Sequence, residues 1–185
     1  MGRAACGERR PLADSNERTR FEELVLPHLD AAHNLARWLV RPEAEAQDLA
    51  QEAMLRAYRF FGGFRGGDAR AWLLKIVRNT GYTRLATARG AREAAPFDEE
   101  VHAVSEVTPE SLAIAGGERE RLARALEALP ARSREVLVLR ELEGCSYKEI
   151  AEITGIPIGT VMSSLSRARQ RLQETLAAAD QRGTP

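Results

Sequence analysis

Apolar residues in this chain recur at steps of three and four, and no stretch alternates as a half-buried strand would. The clearest run is Ile158, Val161, Leu165, Ala168, Leu172 and Leu176, spaced three, four, three, four and four, which draws one stripe down an α-helix. A second run reads Phe21, Leu24, Val25, His28, Ala32, Leu35, Ala36 and Leu39; a third reads Ala46, Leu49, Ala50, Ala53, Ala57, Phe60 and Phe61. Trp72, Leu73, Ile76 and Val77 begin a fourth. The periodicity predicts an all-α protein. At 185 residues, 44% apolar and 29% charged, the chain is globular and makes one domain or two small ones.

Punctuation divides these helices. Residues 1–18 carry Gly, Pro and mixed charge without period and read as a flexible arm. Thr19 with Glu22 is a capping-box pattern ahead of the first stripe, and Pro42 with Glu43 and Glu45 restarts the chain as a helix N-terminus running to about Phe61. GGFRGG at 62–67 is a loop. Asp68 then caps a helix expected to reach about Arg89, with a break near Gly81. From 93 to 117 the composition turns to Ala, Pro, Gly and acid, a flexible linker between two small helical domains. Beyond it, one short helix stops at Pro130 and Ser133 caps another that reaches Gly144. Ser146 with Glu149 opens a helix from Tyr147 to Thr154, and Gly155-Ile156-Pro157 turns into the last one.

Three features bear on function. Tyr147 to Leu172 describes a helix-turn-helix, with Ala151 small enough for close approach. Turning Val161, Leu165, Ala168 and Leu172 inward leaves Thr160, Ser163, Arg167 and Gln170 outward, flanked by Ser164 and Arg171. No acid lies between Glu152 and Glu174, so that face suits phosphates and base edges in a major groove. The second feature is charge. Residues 53–92 hold nine basic side chains against one acid, Asp68, and six of the ten aromatics. Phe60, Phe61 and Trp72 fit a helical core or a stacking platform equally, whereas Phe64 sits in the glycine loop where an extruded base could be held. The third feature is Leu55, which points away from the apolar stripe of its helix among Asp48, Gln51, Glu52 and Arg59 and marks a protein-docking face.

EAQDLAQEAMLRAYRFF, FRGGDARAWLLKIVRN and LPARSREVLVLRELEGCSYKEIAEITGIPIGTVMSSLSRARQRL, in this order and spacing, resemble a bacterial sigma factor of the extracytoplasmic-function (ECF) type. The resemblance implies a sigma region 2-like domain at 19–92, a linker at 93–117, a region 4-like domain at 118–177 and a tail at 178–185. It implies that the face of Asp48, Gln51, Glu52 and Leu55 docks on the clamp coiled coil of the largest polymerase subunit, with the flap region as a further contact. Phe64, Arg65, Gly66, Asp68, Trp72, Lys75, Arg78 and Asn79 would read and open the −10 element by capturing a flipped base. Thr160, Ser163, Ser164, Arg167 and Arg171 would read the −35 element. An anti-sigma factor is the expected inhibitor. The family often carries basic residues where Met162 and Ser164 stand, which shifts weight onto Arg167 and Arg171, and His33 stands where a tyrosine is common.

The zero net charge is a cancellation: residues 1–52 carry −3, 53–92 carry +8, the linker −6 and the remainder +1. An acidic linker suits the RNA path of the polymerase that the resemblance assigns to it. A catalytic role is not expected, since His28, His33 and His102 lack metalloprotease spacing and no nucleophile motif occurs. Neither a metal nor a cofactor is expected, because Cys6 and Cys145 cannot build a disulfide framework or a four-ligand zinc site. No signal-peptide core or membrane span is seen, and a cytoplasmic location follows. The rival reading is a stand-alone dimeric helix-turn-helix repressor on a palindromic site. A bidentate base contact by Arg167 predicts that Arg167→Ala costs ~1–3 kcal/mol on the cognate site and relaxes selectivity at one position. Binding measured on matched and mismatched duplexes checks this, and a uniform loss would assign Arg167 to phosphate.

Overall fold

The computed structural model describes residues 15–90 and 117–182. The arm up to Asp14 with Cys6, the stretch from 91 to 116 with the linker and His102, and the last three residues of the tail lie outside the described residues. Among those described, every regular element is helical, and the protein is all-α.

The first half contains α1 (Ser15–Leu24), α2 (Leu29–Leu39), α3 (Glu43–Phe60) and α4 (Ala69–Gly90). The first apolar stripe is two helices rather than one. Pro27 lies in a 3-10 turn, Leu26–His28, where its missing N–H and its ring end α1 before α2 begins. Helix α1 already includes Ser15, so Thr19 sits inside it rather than at its N-cap. Helix α3 begins after Pro42 with Glu43 and Glu45 in its first turn, where carboxylates offset the positive end of the helix dipole. Its buried side is nearly all alanine (Ala46, Ala50, Ala53, Ala57) with Leu49, which lets α2 and α4 approach closely.

Phe60 is the exception to that stripe and is 67% exposed. It neighbours Phe61, which is buried, and successive helical residues diverge by about 100°, so one pocket cannot take both rings. Phe61 enters the core edge-on to Phe21, 5.2 Å between ring centroids, and Phe21 meets Tyr58 in the same manner at 5.1 Å.

Asp68 caps α4: its Oδ1 accepts from the backbone N–H of Arg70 at 2.8 Å and of Ala71 at 3.0 Å. The helix then runs unbroken past Gly81 to Gly90. A Cβ at Gly81 would stand 3.2 Å from both Leu39 Cδ1 and Leu49 Cδ2. Glycine is needed there for close approach to α2 and α3 rather than for a bend.

The second half contains α5 (Gly117–Glu127), α6 (Ala131–Leu137), α7 (Tyr147–Thr154) and α8 (Ile158–Arg182). Helix α6 starts directly after Pro130, which takes the N-cap position, and Ser133 lies within the helix rather than capping it. It continues as one π turn, Val138–Leu142. Ser146 caps α7 with the reciprocal geometry read from sequence: its Oγ accepts from Glu149 N–H at 3.2 Å, and Glu149 Oε2 accepts from Ser146 N–H at 2.5 Å. Gly155, at φ +73°, ends α7 in the left-handed conformation that turns the chain toward α8. Val161, Leu165 and Ala168 are fully buried, as the stripe required, and Leu172 and Leu176 are half-buried. Ile158 at its head is 45% exposed, because it opens the helix beyond the packed turns.

The two halves pack on each other along α4 and α7 and along α2 and α6, and one apolar cluster runs from Phe21 through Leu73 and Val77 to Ile150 and Leu165. No described helix is long and apolar enough to cross a membrane. Gly81→Leu would push α4 off Leu39 and Leu49. We expect an overpacking loss of ~1–3 kcal/mol, measured by urea unfolding.

Candidate nucleic-acid interface

The glycine loop and the start of α4 line an open cavity of about 420 Å³. Phe64, Arg65, Gly66, Asp68, Trp72 and Lys75 all line it, so six of the eight residues expected at a −10 site meet around one space. Gly63, Gly67 and Ala71 complete the near wall. The far wall is Glu152 of α7, from the other half of the chain.

Phe64 does not stand free in this loop. It is only 7% exposed, nearly parallel to Phe61 at 5.7 Å and tilted against Trp72 at 5.1 Å. Its ring is the floor of the cavity, anchored to the core, and Trp72 is half-buried beside it. Gly66 adopts φ +91°, which opens the loop around that floor. A hydrogen bond from the Glu149 carboxyl leads the pull on Asp68, joined by its two backbone N–H donors. Together they outweigh burial and hold its carboxyl below the usual range.

Arg78 and Asn79 do not line the cavity. Asn79 is exposed, and Arg78 donates from Nε to Glu135 Oε1 at 2.7 Å. The Glu135 side chain is 2% exposed and also accepts from the Tyr82 hydroxyl at 3.2 Å. Burial pushes its carboxyl upward against the pull of Arg78. A second bridge joins Arg70 to Glu143, 2.7 Å to the carboxylate and a further bond to its backbone carbonyl, with Cys145 Sγ 3.9 Å from the same guanidinium. Arg41 reaches Glu127 in a third. Basic side chains of the first half are thus held by carboxylates of the second.

On α8, Thr160, Ser163, Arg167, Gln170 and Arg171 are exposed together and Ser164 is half-buried at their edge. The Ser163 hydroxyl donates to Thr160 O at 3.1 Å and Arg167 Nε to Ser163 O at 3.3 Å, so both side chains lie along the helix. Arg169, on the neighbouring flank, is paired with Glu141 at 2.7 Å. On α3, Asp48, Gln51 and Leu55 are exposed, Leu55 at 61%. Glu52 is half-buried between Arg56 and Arg84, each 2.6 Å away. Burial raises its carboxyl, and the two arginines more than reverse that.

Residues 24–90 match the sigma-70 region 2 family and residues 119–172 the sigma-70 region 4 family. The RNA polymerase sigma-H factor of Pseudomonas aeruginosa is 36% identical over 170 residues, covering 86% of this chain and 88% of that protein. The ECF RNA polymerase sigma-E factor of Escherichia coli K12 is 39% identical over 142 residues, 71% of this chain and 73% of its own. This chain is an ECF sigma factor. The sigma factor RpoE of Bartonella quintana, solved in complex with the anti-sigma factor NepR, matches the fold with a TM-score of 0.69 at 30% identity, covering 86% of this chain and 98% of that one. CnrH, solved with the cytosolic domain of CnrY, matches at 0.60 and 27%, covering 87% and 90%. A sigma factor directs promoter-specific transcription, and the repressor reading is not favoured.

Sequence reasoning missed several residues of this sigma factor's surfaces. Glu152 and Glu135 meet the first half across more than fifty positions, and no local pattern announces such a pair. Met162 is exposed on α8, and Ile158, read from sequence as the head of the inward stripe, is exposed as well. Among the described residues no group of His, Cys, Asp and Glu is placed to hold a metal. Cys145 is buried, which pushes its thiol up to about 11 and leaves it protonated at neutral pH. Folded sigma factor should therefore resist iodoacetamide at Cys145 and react there only on unfolding, read by peptide mass spectrometry. Arg78→Leu would strand the Glu135 carboxylate. We expect a loss of about 3 kcal/mol in chemical denaturation.

Proposed function

We propose that this sigma factor binds core RNA polymerase, recognises two promoter boxes and helps open the −10 DNA, without catalysis of its own. The domain at 19–92 carries polymerase binding and the −10 site; the domain at 118–177 carries the −35 site. The observation that supports the reading is that six of the eight residues expected at the −10 site line the cavity on Phe64, while the acid-free face of α8 and the Leu55 face of α3 are exposed on other helices.

The chemistry of each surface fits its role. A cavity of about 420 Å³ with an aromatic floor and Arg65, Lys75 and Asp68 at its rim has room for an extruded base, stacked on one face and hydrogen-bonded at its edge. Arginines and hydroxyls on α8 suit a major groove. Leu55 ringed by Asp48 and Gln51 suits a helix of the polymerase clamp, an apolar anchor inside a polar rim. Since Glu152 flanks the cavity and Glu135 occupies Arg78, promoter engagement is expected to loosen the contact between the two halves. Anti-sigma control is supported by the solved complex of the Bartonella RpoE with NepR. Cytoplasmic residence follows from partnership with the polymerase.

Run-off transcription by purified core polymerase, with and without the chain, tests the reading: specific transcripts appear only with it. Tight, specific binding of promoter by the isolated chain would count against it. Leu55→Arg should weaken polymerase binding at least tenfold, as expected for an interface anchor, and leave the stability of the chain within ~0.5 kcal/mol. Unchanged polymerase affinity would remove Leu55 from the interface.

A further inference from the structure

Three ion pairs join the two halves, and each takes its cation from the first half and its carboxylate from the second. Arg78 meets Glu135, Arg70 meets Glu143 and Arg41 meets Glu127. The three carboxylate side chains are withdrawn from solvent, at 2%, 5% and 13% exposure in that order. Cohesion alone does not call for charge here, because well-packed apolar side chains often hold a seam as firmly as buried ion pairs. Two of the carboxylates are also incompletely satisfied. Glu143 Oε1 and Glu127 Oε2 are buried without a hydrogen-bond partner among the described residues. Separating the halves would hydrate both oxygens and return the paired charges to water, so the contact is suited to opening.

While closed, the seam opposes nucleic acid on α4. Arg78 is engaged by Glu135 and Arg70 by Glu143, and Glu152 stands at the far wall of the cavity. A phosphate chain laid along α4 would meet three carboxylates as like charges and find both arginines already paired. Cys145 lies in the same seam. It is buried, with its Sγ 3.9 Å from the Arg70 guanidinium, so its accessibility reports whether the halves are together.

We propose that Glu127, Glu135 and Glu143 form an autoinhibitory clasp. In the free chain they hold the helix-turn-helix half against the first half and keep the −10 surface from DNA. Separation of the halves on core polymerase releases it. The proposal rests on the assignment of the glycine loop and α4 to the −10 element. The affinity of the free chain for −10 DNA is then the intrinsic affinity multiplied by the open fraction.

The test uses the full chain and a fluorescent single-stranded oligonucleotide, the non-template −10 strand of a promoter that the holoenzyme transcribes. Alkylation of Cys145 by iodoacetamide is followed on the same samples by peptide mass spectrometry, which separates it from Cys6. Glu135→Gln weakens the clasp at Arg78, and Glu127→Gln weakens it away from both the glycine loop and Cys145. Each should raise the affinity for the oligonucleotide roughly tenfold or more, and raise Cys145 alkylation by the same factor, since both follow the open fraction. Transcription by holoenzyme carrying either variant should be unchanged, because the halves are already apart there. Glu174→Gln removes an equal charge at an exposed position outside the seam and should alter neither reading. If Glu135→Gln lowers holoenzyme output, which marks a folding defect, Glu127→Gln carries the test. Unchanged affinity in the clasp variants, a gain in affinity without faster alkylation, faster alkylation without a gain in affinity, or an equal gain in Glu174→Gln would overturn the proposal. Holoenzyme whose −10 opening is unaltered by Phe64→Ala would instead overturn the −10 assignment.

Discussion

Helix α4 packs apolar residues into the first half of the molecule and presents cations to the second, and most of the architecture follows from that double use. Leu73, Leu74 and Val77 are buried in the shared core, while Arg70 and Arg78 turn toward Glu143 and Glu135. A carboxylate as buried as Glu135 is tolerable only with a cation and a hydroxyl beside it, because desolvation of an unpaired charge costs several kcal/mol. The packing of the halves therefore depends on residues that a sequence reading assigns to DNA. A side chain chosen for phosphate is equally suited to a carboxylate, and in this arrangement the carboxylates of the helix-turn-helix half occupy it.

The aromatic cluster under the glycine loop illustrates a related economy. Phe64 lies in a loop by sequence and in the core by packing, joined to Phe61 and Trp72 and through Phe61 to Phe21. A ring held on one side by the core offers a rigid surface on the other. Rigidity matters for a recognition site, since a freely rotating side chain would lose conformational entropy on stacking and bind more weakly.

How much of this was legible depended on the range of the interaction concerned. Local chemistry was readable: the Ser146 box, the Asp68 cap, the Tyr147–Thr154 helix and the inward stripe of α8 follow from residues within one or two turns. Where local signals competed, reading was less secure. Thr19 and Ser133 look like caps, but Thr19 lies inside α1 and Pro130 starts α6 earlier, and Pro27 outweighs a continuous apolar period. Phe60 and Phe61 have the same chemistry and differ only in rotation about α3. What was not legible was tertiary. Gly81 read as a break until Leu39 and Leu49 were seen against it, and Arg78 read as a DNA contact until Glu135 appeared 57 residues away.

The capping box and Gly155 have a geometric corollary. Ser146 fixes where α7 begins and Gly155 fixes where it ends, so its eight residues form an element of set length. Helix α8 then starts three residues after Gly155 with its apolar stripe already committed to the core by Val161 and Leu165. The azimuth of every side chain along α8 is locked to that commitment. One residue inserted between Val161 and Leu165 would rotate all that follows by about 100° and carry Arg167 from the outer face toward the flank. The turn and the box thus act as a protractor, holding the outward face in phase with whatever groove it enters.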